Sequence, residues 1–141
     1  MSATMTREER EQFLAGAHVG VLSVAAEGGG GPLAVPVWYS YQPGGPVSVI
    51  TGAGTRKAAA IRAAGRFSLC AQDERPPYKY VTVEGPVIIE EASQAERLEL
   101  ARRYLGAEGA DAYIAANPTG TQIMVRMTPE HWLTADHSKV S

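Results

Sequence analysis

Apolar and polar positions divide the chain into short alternating runs, each bounded by turn residues, with few helical stretches between them. Residues 19–24 (VGVLSV) read as a buried strand. Residues 26–31 include four consecutive glycines, which enter positive φ freely and so mark a turn. Residues 32–41 form a second strand, with Val35, Val37 and Tyr39 on one face and Trp38 on the other. Pro36 in its middle has no amide to donate, which places the strand at an edge or at a break in the ladder. The Pro43–Pro46 turn leads into a third strand over 47–51. A fourth strand follows at 67–72, a long fifth at 80–89 and a last one at 122–127, which residues 131–134 continue or extend.

Helices are marked by their caps. Thr6 followed by Glu9 is a capping box, as is Ser93 followed by Glu96. The helix predicted from Thr55 to Ala64 has Gly65 ready at its C-terminal end, and the one after Ser93 is stopped by Gly106. A short helix is expected over 111–116. Hairpin-linked strands with few crossing helices favour a closed antiparallel barrel over an open parallel sheet. No internal repeat and no linker composition interrupts the chain, so residues 1–141 are read as a single domain.

Composition changes this picture little. At 45% hydrophobic and 20% charged residues the chain has the make-up of an ordinary globular protein rather than a disordered one. A net charge of −2 gives no general pull toward nucleic acid or membrane, so any anion site must be local. One cysteine excludes an internal disulfide and a multi-cysteine metal site. The polar residues after Met1 form no signal peptide and no long apolar run follows, so the expected location is the cytoplasm.

The local anion site is expected in ITGAGTRKAAAIRAAGRFSL, from Ile50 to Leu69. A strand ends in a Thr-Gly turn, and a helix begins with Arg56 and Lys57 in its first turn, where cations oppose the helix dipole. Unpaired amides at a helix start bind phosphate, Thr51 and Thr55 offer hydroxyls, and Gly52 and Gly54 let the backbone approach closely. A solvated basic turn is the alternative, and it leaves the unfavourable dipole contact unexplained. The spacing matches neither a P-loop, because Arg56 precedes Lys57 and Ala58 follows it, nor a dinucleotide fingerprint, because Lys57 stands where the third glycine belongs.

The remaining candidates carry less. Trp38, Tyr39, Tyr41, Tyr78 and Tyr80 suit a barrel lining, and could also flank a planar ligand. His18, His131 and His137 have no metal-ligand spacing. Cys70 is read as a buried thiol, Asp136–His137 as a surface pair and Glu90–Glu91 as a solvated strand end. No Ser-His-Asp or Cys-His constellation appears.

Taken in order, VGVLSV, GPLAVPVWY, VITGAGTRKAAAIRAAGRFSL and YKYVTVEGPVIIEE resemble the pyridoxamine 5′-phosphate oxidase-like, or flavin/deazaflavin oxidoreductase, superfamily over roughly residues 6–130. The tail HWLTADHSK resembles the ending of some deazaflavin-dependent members. The resemblance implies a mainly β (α+β) split β-barrel, antiparallel and Greek-key-like, with a few short helices. It implies a homodimer with cofactor in grooves between the subunits. It implies that Thr51, Thr55, Arg56 and Lys57 hold the cofactor phosphate and that Pro36, Val37 and Trp38 run past its ring. Tyr80 falls where the vitamin oxidases carry a cofactor-reaching glutamine, with Tyr78 and Lys79 near the same groove.

The chain departs from the true vitamin oxidases by lacking their arginine near Leu33 or Ala34 and their longer C-terminal segment, so pyridoxamine phosphate oxidation is not expected. The implied cofactor is FMN or coenzyme F420. The basic residues Arg62, Arg75 and Lys79 suit the acidic tail of F420 and favour it slightly. The implied activity is hydride transfer to or from a small organic substrate, which needs orientation more than an acid–base pair. No catalytic residue is assigned, with Tyr39 and Tyr80 the candidates if a proton must be delivered. A flavin carrier or sensor without turnover would have the same site. A haem-handling split barrel lacks a placed histidine ligand, and a purely structural domain would bind no flavin.

Overall fold

The structure, a computed structural model, describes residues 2–140. Helix α1 (Arg7–Ala15) starts at the Thr6–Glu9 capping box, where the Thr6 hydroxyl accepts from the Glu9 amide and the Glu9 carboxylate accepts from the Thr6 amide. Strands β1 (Gly20–Val24) and β2 (Leu33–Val37) form a hairpin across the glycine turn, in which Gly28, Gly29 and Gly30 all have positive φ. β3 (Val47–Gly52), α2 (Arg56–Ala64), β4 (Arg66–Asp73) and β5 (Lys79–Glu91) follow. α3 (Gln94–Ala116) opens at the Ser93–Glu96 capping box and breaks its helical geometry at Gly106 (φ 76°, ψ 172°). β6 (Gln122–Met127), β7 (His131–Asp136) and a short 3-10 turn (His137–Lys139) complete the chain.

The strands lie in the order β2-β1-β4-β5-β6-β3, with β7 also on β5, and every pairing is antiparallel. This is a mainly β, curled half-barrel. It is the mainly β split barrel that the resemblance implies, left open rather than fully closed: between its two ends, β2 and β3, the one bridge among the described residues is Ser40–Ser48, just beyond β2. β2 is an edge strand, which is where a proline in mid-strand leaves no ladder bond unmade. It is also shorter than expected. The Tyr39 amide donates to the Tyr104 hydroxyl on α3 at 3.1 Å, so the chain leaves the sheet after Val37.

β5 is shared between two sheet halves. Its first half pairs with β4 and β7, and its second half with β6. Residues 131–136 therefore do not extend β6; they turn back to pair with Lys79–Glu84. Gly85 sits at the handover. A Cβ there would lie 1.7 Å from the Thr128 carbonyl oxygen, so the β6–β7 connection crosses directly against its backbone.

Alternation along the strands sorts the faces. Leu22, Leu69 and Val83 are opposite one another and fully buried, with Phe67, Val47, Val49, Val125, Met127 and the α2 residues Ala58 and Ile61 in the same core. The opposite face carries a row running Pro36–Val21–Cys70–Thr82–Leu133 across five strands. Cys70 is thus on this outer face and only half-buried, not a core thiol, because Leu69 and Ala71 take the inward positions on either side of it. Among the described residues no helix is long and apolar enough to cross a membrane.

Candidate functional site

The break between β2 and β3 opens a groove of about 360 Å³. One wall comes from Val19 and the end of β2, with Pro36, Val37 and Trp38. The floor includes Ile50 on β3 and Gln122 on β6. The far side is Lys57 from α2 and Arg97, Leu100, Ala101 and Tyr113 from α3.

Lys57 enters the groove because of how α2 starts. Thr55 caps the helix, its hydroxyl accepting from the Ala58 amide at 3.1 Å and donating to the Gly52 carbonyl at 2.9 Å. That hydrogen is therefore committed, and the Thr51 hydroxyl, 3.3 Å away, is left to donate to Thr55. Thr51 is buried. The two threonines brace the junction from within, and among the described residues the amides of Arg56 and Lys57 have no partner. No acid stands in the first turn. Lys57 is half-buried without a carboxylate partner among the described residues, and burial pulls its ammonium below the ordinary value of 10.5.

The four residues expected to hold phosphate are thus close in sequence but divided in space. Arg56, one residue before Lys57 and so about 100° around the helix, faces Ala26, Glu27 and Leu33 on the other side of α2. Pro36, Val37, Trp38 and Lys57 come together in the groove. Tyr80 and Lys79 do not join them within this chain. Tyr80 pairs with Gln72 three strands from β2, roughly 14 Å at the usual strand spacing. Lys79 stands in the ladder between Asp73 and Asp136. Of the cations that favoured F420, Arg75 is held by both oxygens of Asp73, and Arg62 donates to the Ala53 carbonyl.

Tyr39, one of the two expected proton donors, has no access to the groove. It is fully buried, its hydroxyl donates to the Leu14 carbonyl at 2.7 Å, and burial drives its pKa well above the ordinary value. Its place is an anchor. Arg103 from α3 bonds the Ala15 and Gly16 carbonyls at the end of α1 and lies 5.2 Å over the Tyr39 ring. The Tyr104 hydroxyl accepts from the Tyr39 amide and donates to the His18 carbonyl at 2.7 Å. The Tyr104 ring stacks on Trp38 at 5.1 Å and 7°, and Tyr113 leans on the same indole at 5.1 Å and 48°. The groove's aromatic wall is therefore set by α3.

The α3 contribution was missed from the sequence, although a signal for it exists. Arg97, Leu100, Ala101 and Tyr104 occupy one helical stripe, and an arginine in such a stripe must answer to something buried. The other polar clusters are accounted for by their neighbours. Glu84, Glu130 and His131 approach closely, with the Arg66 guanidinium bonded to both carboxylates. Asp136 does not pair with His137. Its carboxylate accepts from the Ser138 amide, while His137 lies 4.5 Å from the Tyr78 ring.

Comparison with known proteins agrees with this architecture. A family profile described as pyridoxamine 5′-phosphate oxidase matches residues 6–136. A conserved hypothetical protein, Rv2991 from Mycobacterium tuberculosis, is 22% identical and superposes with a TM-score of 0.79 over 99% of this chain and 89% of its own. A protein described as F420 reductase is 21% identical, with a TM-score of 0.68 over 87% of this chain and 94% of its own. A FAD-binding protein from Mesorhizobium loti is 19% identical, with a TM-score of 0.60 and 92% coverage of each chain. At these identities the solved structures establish the fold. No curated protein matches the sequence.

Proposed function

The chain belongs to the pyridoxamine 5′-phosphate oxidase family, and we propose from there that it is an oxidoreductase holding a phosphate-bearing flavin or deazaflavin, either FMN or coenzyme F420, in the groove between β2 and α3. The observation that carries this reading is Lys57: among the described residues, a half-buried ammonium without a carboxylate partner, beside two unpartnered helix-start amides, at the end of an aromatic groove. A half-buried cation with no counter-ion among the described residues favours an anionic ligand, and the apolar wall favours a planar one. Proteins similar in fold are described as F420 reductase and FAD-binding, which supports the same ligand class.

The bound cofactor supplies the hydride chemistry. This chain's residues bind and orient. Lys57 and the amides of Arg56 and Lys57 meet the phosphate. β2 is an edge, so backbone groups near Pro36–Trp38 that face away from β1 are free for a polar ring edge. Trp38 and Tyr113 exclude water from one side. A proton needed by the substrate comes from solvent or Tyr80, since the Tyr39 hydroxyl is committed.

The outer sheet face continues the groove, because Val19 and Pro36 belong to both, and Val21 and Leu133 expose 42% and 62% of their surface on it. We propose that a second copy of this chain covers that face and that Tyr80 of one copy, two positions before Thr82 on the same face, completes the groove of the other, with Lys79 beside it at the start of β5. Leu133→Asp is expected to convert a sedimenting dimer into a monomer with weakened cofactor binding. A wild-type monomer that binds cofactor tightly would overturn the pairing.

Absorbance titration of the protein with FMN and with F420 tests the cofactor reading. Micromolar binding of one of them is expected, followed by turnover of the reduced form with an enone, quinone or tetrapyrrole. Binding without turnover on the panel favours a carrier or sensor; no binding of either sinks the proposal.

Lys57 also gives the site a pH dependence. A bound anion restores the pKa that burial has lowered, so the complex holds a proton that the free protein releases. Cofactor affinity is therefore expected to fall as pH rises through the lowered Lys57 pKa. The stability of the free protein is expected to rise over the interval from that pKa up to 10.5, because the unfolded chain holds the proton longer there. Titrations above pH 7 would show the fall in wild type and its absence in Lys57→Arg. A flat wild-type profile up to 10.5 would contradict the assignment.

A further inference from the structure

The groove has a second cation that neither the helix start nor the family resemblance brings in. Arg97, in the first turns of α3, is only 9% exposed and lines the groove with Lys57 and Gln122. No carboxylate among the described residues pairs with it. The adjacent acid, Glu96, is taken by Arg126 at 2.9 Å. A guanidinium has five N–H donors, and among the described residues the one side-chain bond Arg97 makes is to the Asn117 carbonyl at the end of α3.

Among the described residues most of the Arg97 donors are unused by the protein and, unlike the Nε atoms of Arg10 and Arg103, they are not sealed from solvent. A guanidinium on a largely buried residue, with no carboxylate beside it among those residues, therefore favours an anion in the groove. We infer that Arg97 is a second anion contact of the groove, meeting the phosphate-bearing part of the ligand from α3 while Lys57 meets it from α2. This rests on the groove being the cofactor site. It specifies the ligand further: the anionic group is gripped from two sides by charges on separate helices, so a ring without phosphate binds much more weakly.

The competing role is a strut. Bonded to the Asn117 carbonyl, Arg97 ties the last turn of α3 back to its first and so holds Tyr113 near Trp38. A strut needs a donor but no charge, and it acts on any ligand of the groove, whether or not phosphate is present.

The test pairs ligands that differ in phosphate: FMN against riboflavin, and F420 against its phosphate-free deazaflavin chromophore. Each is titrated into wild type, Arg97→Gln, Arg97→Lys and Lys57→Ala, with thermal melts of all four. Arg97→Gln is expected to weaken the phosphate-bearing ligand roughly ten- to hundredfold, the scale of a charge-assisted hydrogen bond, and to change the phosphate-free one by less than about threefold. Arg97→Lys recovers part of the loss. Inorganic pyrophosphate competing against bound cofactor gives a reading without any ring, and its inhibition constant rises by a similar factor in Arg97→Gln. Equal losses for both members of a pair, or no loss at all, overturn the inference. If Lys57→Ala also leaves affinity unchanged, the cofactor site itself is misplaced; if Lys57→Ala loses affinity and Arg97→Gln does not, only the role of Arg97 falls.

Discussion

Gly85→Ala is expected to abolish folding or to lower the melting temperature by roughly 10–20 °C, the equivalent of about 4 kcal/mol or more in a domain of this size. The added methyl would meet the Thr128 carbonyl oxygen at 1.7 Å, and that atom is backbone. The Thr128 amide donates to the Pro86 carbonyl and the Glu130 amide to the Glu84 carbonyl, each at 2.9 Å, so the crossing segment is pinned on both sides of the clash. Relief would require breaking those bonds or separating β5 from the β6–β7 connection, and with it the junction between the two sheet halves. Gly120→Ala is the control, since a Cβ there meets nothing within 4 Å, and it should change stability by less than about 0.5 kcal/mol. Thermal and urea unfolding of the two variants against wild type gives the answer; a folded Gly85→Ala protein melting within a few degrees of wild type would show that the crossing is not as tight as described.

Lys57→Ala is expected to lower cofactor affinity by about 1.5–3 kcal/mol, roughly ten- to 150-fold, with little loss of stability. The two expectations have one cause. The ammonium is partly desolvated in the free protein and has no partner among the described residues to leave stranded, so its removal relieves a small cost there. In the complex it would neutralise a phosphate in a groove that Trp38 and Tyr113 shield from water, where a charge-assisted bond is strongest. Isothermal titration with the bound cofactor, beside a melting curve, measures both. Unchanged affinity would remove Lys57 from the site. Arg56→Ala provides a contrast within the same helical turn: Arg56 lines a separate hollow with Ala26, Glu27 and Leu33, so its effect on affinity should be well below that of Lys57→Ala.

Much of the fold was legible because its signals are local. The capping boxes at Thr6 and Ser93, the Thr55 cap, the left-handed Gly65 (φ 72°) and the break at Gly106 each involve residues within one or two turns of each other. Pro36 marked an edge strand because a missing amide is a property of one residue. What misled was contact at long range. Residues 131–134 read as continuing or extending β6 because alternation says that a segment is a strand and not which strand it pairs with. Cys70 looked buried because its apolar neighbours hid the strand's period of two. Thr51, Thr55, Arg56 and Lys57 are close in sequence, but successive helix positions point about 100° apart, so Lys57 lines the groove while Arg56 lines a separate hollow, a division that only the fold displays.

By itself, then, the sequence determined most of the strands and helices, the caps and turns, the choice of an edge or a ladder break for β2, and the presence of a cationic helix start that wants an anion. Only the tertiary structure decided that the barrel stays open between β2 and β3 and that β7 returns to β5. It alone brought Tyr104 and Tyr113 from α3 against Trp38 and Arg97 into the groove beside them. The physical reason is the range of the interactions. Caps and turns are closed by bonds a few residues apart, whereas the groove depends on Tyr104 reaching Tyr39 across 65 positions and Arg103 reaching Gly16 across 87, contacts that no local pattern encodes.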